Sequence, residues 1–306
     1  MMKKLLVIAG PTAVGKSDLG IRLAKELDGE VISGDSMQIY KGMDIGTAKV
    51  TTEEMDGVPH HLIDIKEPDE AFSVAEFQER CTRILEDLAV RNKQPILVGG
   101  TGLYIQSITH GYQFVDKPED KQLRDSLEKD AAQKGNEYVH KLLEAVDAQA
   151  AKDIHPNNVR RVIRALEVHQ VTGVPFSKQQ VQEATRPFIG IGLDLDREPL
   201  YQRINNRVDK MIEYGLVAEV QSLMDRGLDN HASAQAIGYK EIIMYLRGEC
   251  SKAEAIELLK RNSRRYAKRQ LTWFRNKMDM TWFDAGIEEK DVLFSQIKNF
   301  VEGNQS

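Results

Sequence analysis

Only two cysteines occur in 306 residues, Cys81 and Cys250, far apart and outside any Cys-x-x-Cys or Cys/His cluster. That scarcity excludes a disulfide framework and a structural zinc site, and leaves both thiols to core packing. Long hydrophobic runs are missing as well: no stretch approaches the roughly 18 apolar residues of a membrane helix. Met1 to Lys4 leads straight into the short segment LLVIAG, without the pattern of an export signal, so the expected location is the cytoplasm, with no membrane partner. Repeats and low-complexity tracts are absent, and 41% hydrophobic with 29% charged residues is a globular composition. There is no excess of positive charge either. The net charge of -5 argues against a nucleic-acid partner until the local pattern is considered. Residues 260–277, KRNSRRYAKRQLTWFRNK, contain no acid and eight Lys or Arg, enough to attract a polyanion to an otherwise acidic protein.

What the chain does have is a strand–helix rhythm over its first hundred residues. LLVIA is a continuous apolar run suited to a parallel strand covered on both faces. Leu19, Leu23 and Leu27 then recur at helical spacing. EVIS (30–33) predicts a second strand, residues 74–90 an amphipathic helix, and PILVGG (95–100) a third strand. Beyond about Phe114 the rhythm stops, and residues 117–186 are charged and helical, with a cap-like HPNN at 155–158 and a Gly-Val-Pro break at 173–175. It resumes at FIGIGLDLD (188–196), followed by helical text at 197–225, 239–247 and 254–277 and a last strand candidate at 280–285. The expected fold class is α/β: a P-loop NTPase-like parallel sheet core (1–114 and 188–306) with an inserted helical domain (115–187).

GPTAVGKS, Gly10 to Ser17, follows the first strand and opens the first helix, which is the context a phosphate-binding loop requires. Backbone N–H groups of Gly10, Pro11, Thr12, Ala13, Val14 and Gly15 (proline excepted) line a concavity for phosphate oxygens. Lys16 supplies positive charge, and the Ser17 hydroxyl a ligand for Mg²⁺. The same signature serves nucleotide-binding, ATP-binding proteins, so it selects a diphosphate or triphosphate without choosing the organic group. Asp35 follows the second strand. If that strand neighbours the first, Asp35 stands at the loop's edge of the sheet as a general base, although Asp-Ser also begins many turns. Thr101 follows the third strand and reads equally as a site residue or a helix cap. Arg160, Arg161 and Arg164 share one helical face, which suits either RNA phosphates or plain solvation. His60 and His61, without a third ligand, read as structural.

Six segments taken together are more specific: GPTAVGKS, DSMQIYKGMDIGTAK (35–49), PHHLID (59–64), LVGGTGLYI (97–105), HPNNVRRVIRALEV (155–168) and AIGYKE (236–241). In this order they resemble the bacterial tRNA dimethylallyltransferases, which prenylate adenine 37 beside the anticodon. The resemblance implies that residues 10–17 bind the diphosphate of dimethylallyl diphosphate with Mg²⁺ and that no ATP is consumed. It implies that Asp35 is the catalytic acceptor for the adenine amine, with Thr101 beside it. It further implies that Asp35, Ser36, Met37 and Gln38 touch the target base and its neighbours, and that Arg160, Arg161, Val162, Ile163 and Arg164 meet the tRNA. The protein is expected to act as a monomer, its insertion meeting the anticodon stem. Eukaryotic relatives add a C-terminal zinc finger for which this chain has no cysteine set. A P-loop small-molecule kinase, an adenylate isopentenyltransferase acting on free AMP, and a nucleotide-regulated nucleic-acid-binding protein are the alternatives. The kinase fits poorly with an insertion of about 70 residues, long for a lid, and the AMP enzyme leaves the insertion's arginines without work. Leu259, Tyr266, Trp273 and Phe274 are expected to face the core rather than bases.

Overall fold

Short apolar runs form the strands of one parallel sheet, and the periodic segments form the helices that cover it. The computed structural model describes residues 3–110, 120–179, 186–287 and 289–305. Along the chain, β1 (Leu5–Ala9), α1 (Lys16–Leu27), β2 (Gly29–Gly34), α2 (Thr52–Met55), β3 (His60–His61), α3 (Val74–Val90), β4 (Gln94–Gly99) and α4 (Gly102–Thr109) make the first part. Next come α5 (Lys121–Lys134), α6 (Asn136–Val146), α7 (Ala148–Asp153) and α8 (Val159–Thr172). The last part holds β5 (Phe188–Asp194), α9 (Arg197–Glu213), α10 (Leu216–Asp225), α11 (Tyr239–Leu246), α12 (Lys252–Lys277), β6 (Thr281–Asp284) and α13 (Lys290–Asn304).

The strand order is β3-β2-β4-β1-β5-β6, every pair parallel, a P-loop-like fold. β2 does not neighbour β1, the condition set above for Asp35 to stand at the loop's edge; β4 lies between them. The crossover helix α3 returns the chain to the centre of the sheet, where a fully buried strand such as β4 is covered on both faces. β3 has no counterpart in the sequence reading, since two residues carry no periodicity. His61 in it has a structural partner: its Nε2 lies 2.7 Å from the buried Glu30 carboxylate, which Arg91 also grips. The text at 197–225 is divided by Gly215, whose φ of 101° starts a new helix in a conformation that disfavours other residues.

The two sheet faces bury separate cores. Leu6, Ile8, Ile96 and Ile191 point to one, with Leu23 of α1 and Ile297 of α13. Leu5, Val7, Ile32 and Leu97 point to the other, with Phe77 and Cys81 of α3 and Phe274 of α12. This alternation is the period of two that strands impose. Phe77 stacks on Tyr104 of α4 at 4.3 Å between ring centroids, and burying each such ring contributes about 1.5–3 kcal/mol. A third core gathers Ile39, Met43, Val220, Tyr239 and Leu259 beside the sheet.

The chain divides into two units, residues 1–109 with 186–306, and residues 110–185. The boundary expected at 114/115 lies outside the described residues. The second unit has its own core of Leu127, Val139, Leu143, Val162 and Ile163, and Gly173 ends α8 in the left-handed conformation at φ 71°. Among the described residues no helix is long and apolar enough to cross a membrane.

Candidate active site

The phosphate loop leaves β1 at Gly10. A Cβ there would lie 2.4 Å from the Leu193 carbonyl oxygen of β5, and φ is 149°, so only glycine lets the loop start this close to the sheet. Ala13 (φ 68°) and Gly15 (φ 93°) take left-handed turns that bend the backbone into a nest ahead of α1. Lys16 Nζ donates to the Pro11 carbonyl at 2.7 Å. Desolvation lowers the Lys16 pKa to about 7, the positive charge of Arg207 adds to the lowering, and Asp35 opposes it. Ser17 is exposed on the first turn of α1, its hydroxyl open to a bound ion.

Arg207 did not emerge from the sequence, where it sits among the charges of RINNRVDK without any motif. In the structure, α9 brings its guanidinium over the loop, and Nη1 donates to Thr12 Oγ1 at 3.1 Å. Burial lowers its pKa and Asp35 raises it, but a guanidinium keeps its charge. Two cations, Lys16 and Arg207, thus meet one carboxylate at the carboxyl edge of the sheet.

Asp35 and Thr101 stand side by side because β2 and β4 run in register, Gly34 opposite Gly99. The Ser36 amide donates to Thr101 Oγ1 at 3.1 Å. Asp35 Oδ1 accepts from the Met37 amide at 2.8 Å. Turn cap and site residue, the two readings of Asp35, are therefore compatible: one carboxylate oxygen fixes the turn and the other has no partner among the described residues. Gln38 is held within the fold. Its Oε1 accepts from the Ser33 hydroxyl at 3.1 Å and its Nε2 points at the Thr47 and Ala48 carbonyls at 3.4 Å, so the amide braces the next loop.

Helix α12 closes the site from above the sheet. Gln270, 6% exposed, accepts from the Thr12 amide at 2.9 Å and donates to the Gly100 carbonyl at 3.0 Å, tying the phosphate loop to the end of β4. Tyr266, one turn earlier, lies beside Thr101 and Gln270, and burial pushes its pKa up to about 12. Its expected place in the core is corrected: it lines the cleft, as does the buried Leu259, whereas Phe274 is buried away from it and Trp273 packs against Gly102. A mixed helix face cannot distinguish a tyrosine over a core from one over a cavity.

The cleft so formed has a volume of about 350 Å³. Thr12, Asp35, Ser36, Arg207 and Arg269 make its polar part; Met37, Ile204, Val208, Met211, Ile237 and Leu259 make its apolar part. An anion at the loop and a short apolar group along the wall fit such a division. Among the described residues there is no cluster of three or more His, Cys, Asp or Glu able to hold a metal. The donor set at the loop, a lone serine hydroxyl beside an anion nest, suits a cation held chiefly by substrate phosphates and water.

In the helical unit, Arg160 and Arg161 are exposed, and neither has an ion-pair partner among the described residues. Arg164 is bound to the buried Glu167 at 2.6 Å. Val162 and Ile163, expected to meet tRNA, are 1% and 3% exposed in that unit's core, since they are the apolar positions between the arginines; their side chains turn inward. On α12, Arg261, Arg265 and Lys268 are exposed, while Lys260 pairs with Asp209 and Arg275 with Asp194.

Residues 38–277 match the family model described as IPP transferase. A Bacillus pumilus protein named tRNA dimethylallyltransferase is 58% identical over 301 residues, covering 96% of this chain and 95% of that protein. The structure of a tRNA isopentenylpyrophosphate transferase from Bacillus halodurans is 51% identical with a TM-score of 0.74, covering 98% of this chain and 97% of its own. That of a eukaryotic dimethylallyltransferase acting on tRNA is 33% identical with a TM-score of 0.82, covering 99% and 80% respectively. With a phosphate loop, a facing carboxylate and matches that span nearly its whole length, the chain belongs to the IPP transferase family of tRNA-prenylating enzymes.

Proposed function

We propose that this transferase moves a dimethylallyl group from dimethylallyl diphosphate to the exocyclic amine of adenine 37 in tRNA, releasing diphosphate, as a cytoplasmic monomer. The observation that carries the reading is a cleft with an apolar wall that Asp35 and Arg207 line, with Lys16 in the electrostatic field of both and Thr101 accepting from the amide of Ser36, which also lines it. The target base must leave its stack to reach such a cleft. The phosphate loop and the two cations hold the diphosphate, and Thr101 with Tyr266 fixes the floor beside Asp35. An adenine amine is a weak nucleophile because its lone pair is delocalised into the ring. The free Asp35 oxygen accepts a hydrogen bond from the amine, then its proton, as nitrogen bonds to C1 of the prenyl group. The C1–O bond breaks, its electron pair leaves on the diphosphate, and Lys16 and Arg207 stabilise that charge. Mg²⁺, held at the Ser17 hydroxyl and the diphosphate, would supply further neutralisation of the leaving group. Outside the cleft, the Arg160 and Arg161 face of the insertion meets stem phosphates, and Ser36 and Met37 pack on the base.

The test is transfer of labelled dimethylallyl group, without ATP, to unmodified tRNA bearing three adenines at 36 to 38, with AMP in parallel. Label in tRNA alone supports the proposal. Label in AMP points to a small-molecule acceptor, and label in neither with ATP turnover makes the loop an ATP site.

A further inference from the structure

Two segments singled out in the sequence, DIGTAK and AIGYKE, lie nearly two hundred residues apart, and the reaction described above uses neither. The structure brings them together. Glu219 of α10 places its carboxylate against three consecutive backbone amides: Oε2 accepts from Asp44 at 3.0 Å and Ile45 at 2.8 Å, and Oε1 from Gly46 at 3.1 Å. Oε1 also accepts from the hydroxyl of Tyr239, at 2.6 Å. Tyr239 is fully buried, and its ring lies so close to Gly46 that a Cβ there would be 2.4 Å away, which accounts for the glycine. Burial and the Glu219 charge push the tyrosine pKa upward, so it remains a donor.

Backbone amides in series form an anion nest, and here the protein fills it with its own carboxylate. On the inner side, Lys49 anchors the same loop by donating to the Tyr40 carbonyl at 2.7 Å and to Asp44 and Asp64 at 2.5 Å. The loop has no regular secondary structure, yet Gly46 and Thr47 line the cleft with Asp35 and Met37. Its Thr47 and Ala48 carbonyls meet the Gln38 amide, three residues after Asp35. The phosphate loop is secured otherwise, by Gln270 and Arg207.

We propose that Glu219, clasped by Tyr239, is a positioning residue for the RNA acceptor: it holds residues 44–47 as a fixed wall of the cleft and, through Gln38, steadies the turn that carries Asp35. The inference rests on the RNA-prenylating reading, and it separates acceptor placement from donor binding. A one-ångström misplacement near reacting groups costs on the order of a hundredfold in rate.

The experiment compares wild type with Glu219→Gln and Tyr239→Phe in the transfer assay, titrating donor and RNA separately, with amide hydrogen exchange over residues 44–46. Glu219→Gln turns an amide N–H₂ toward N–H donors. It is expected to speed exchange at those amides and raise the KM for RNA about tenfold or more, equal to roughly 1.4 kcal/mol, with the donor KM within about twofold of wild type. Tyr239→Phe removes a single donor and should shift the same quantities in the same direction by less. A general loss of structure would weaken donor and acceptor together, so a folded Tyr239→Phe protein showing equal losses in both, or no change in either, overturns the proposal. An unchanged RNA KM in a folded Glu219→Gln protein also overturns it. A wild type that transfers nothing would instead take down the transfer reading itself.

Discussion

Replacing Gln270 with leucine removes a strut without changing the volume it fills. The side chain is 6% exposed and makes two hydrogen bonds, from the Thr12 amide at 2.9 Å and to the Gly100 carbonyl at 3.0 Å. Leucine offers neither group a partner. Leaving a buried polar group unsatisfied costs about 1–3 kcal/mol, so two such groups predict a loss of about 2–6 kcal/mol. Thr12 borders the cleft and can recover part of this from water, which favours the lower half of that range. For a unit of this size each kcal/mol moves the unfolding midpoint by about 2–4 °C, so a fall of at least 4 °C is expected. The same change frees the phosphate loop from the end of β4, and donor affinity should weaken by about tenfold, roughly 1.4 kcal/mol. Calorimetry gives the midpoint, and isothermal titration with a non-reactive thio-analogue of the diphosphate gives the affinity. A variant with a midpoint within about 2 °C of wild type and unaltered donor affinity would refute the view that Gln270 couples loop to sheet.

Asp35→Asn keeps an oxygen for the Met37 amide, so the turn survives while the proton acceptor is lost. Turnover should drop about 10²–10⁴-fold with RNA affinity unchanged in filter binding, and a near-normal rate would remove Asp35 from the chemistry. Lys16 carries a pKa lowered to about 7 in the free protein, and a bound diphosphate favours the ammonium. Donor affinity is therefore fully present below that pKa and weakens as pH rises through it, by at most about tenfold per unit. Titration at pH 8, in buffers of different ionisation enthalpy, should show proton uptake on donor binding; none would contradict the electrostatics assigned to this lysine. Reversing Arg160 and Arg161 to glutamate should raise the KM for tRNA, flatten its salt dependence by about one to two in log–log slope, and spare donor affinity. An unchanged slope would return that face to simple solvation.

The turn between β1 and α1 was legible because its geometry is local: Gly10 and Gly15 take the positive-φ conformations that their spacing in GPTAVGKS suggests. α3 at 74–90 matched its hydrophobic period residue for residue. Arg207 was invisible, because an arginine on a charged helix gains meaning only when α9 is laid across the loop. Tyr266 was assigned to the core for a related reason, since periodicity tells which face turns inward and not whether that face meets side chains or a cavity. In the stretch 160–164 the arginines and the apolar pair were read as one contact strip, and burial separates them.

The sequence by itself determined the parallel α/β class, the backbone nest ahead of α1 and the helical character of the second unit, all consequences of short-range pattern and backbone conformation. Tertiary structure decided the rest. By inserting β4 between β1 and β2 it set Thr101 between the phosphate loop and Asp35. By folding α9, α10 and α12 over the sheet edge it brought Arg207, Glu219 and Gln270 to groups up to 258 residues away in the chain. Interactions of that separation depend on which elements pack together, and no local pattern encodes them.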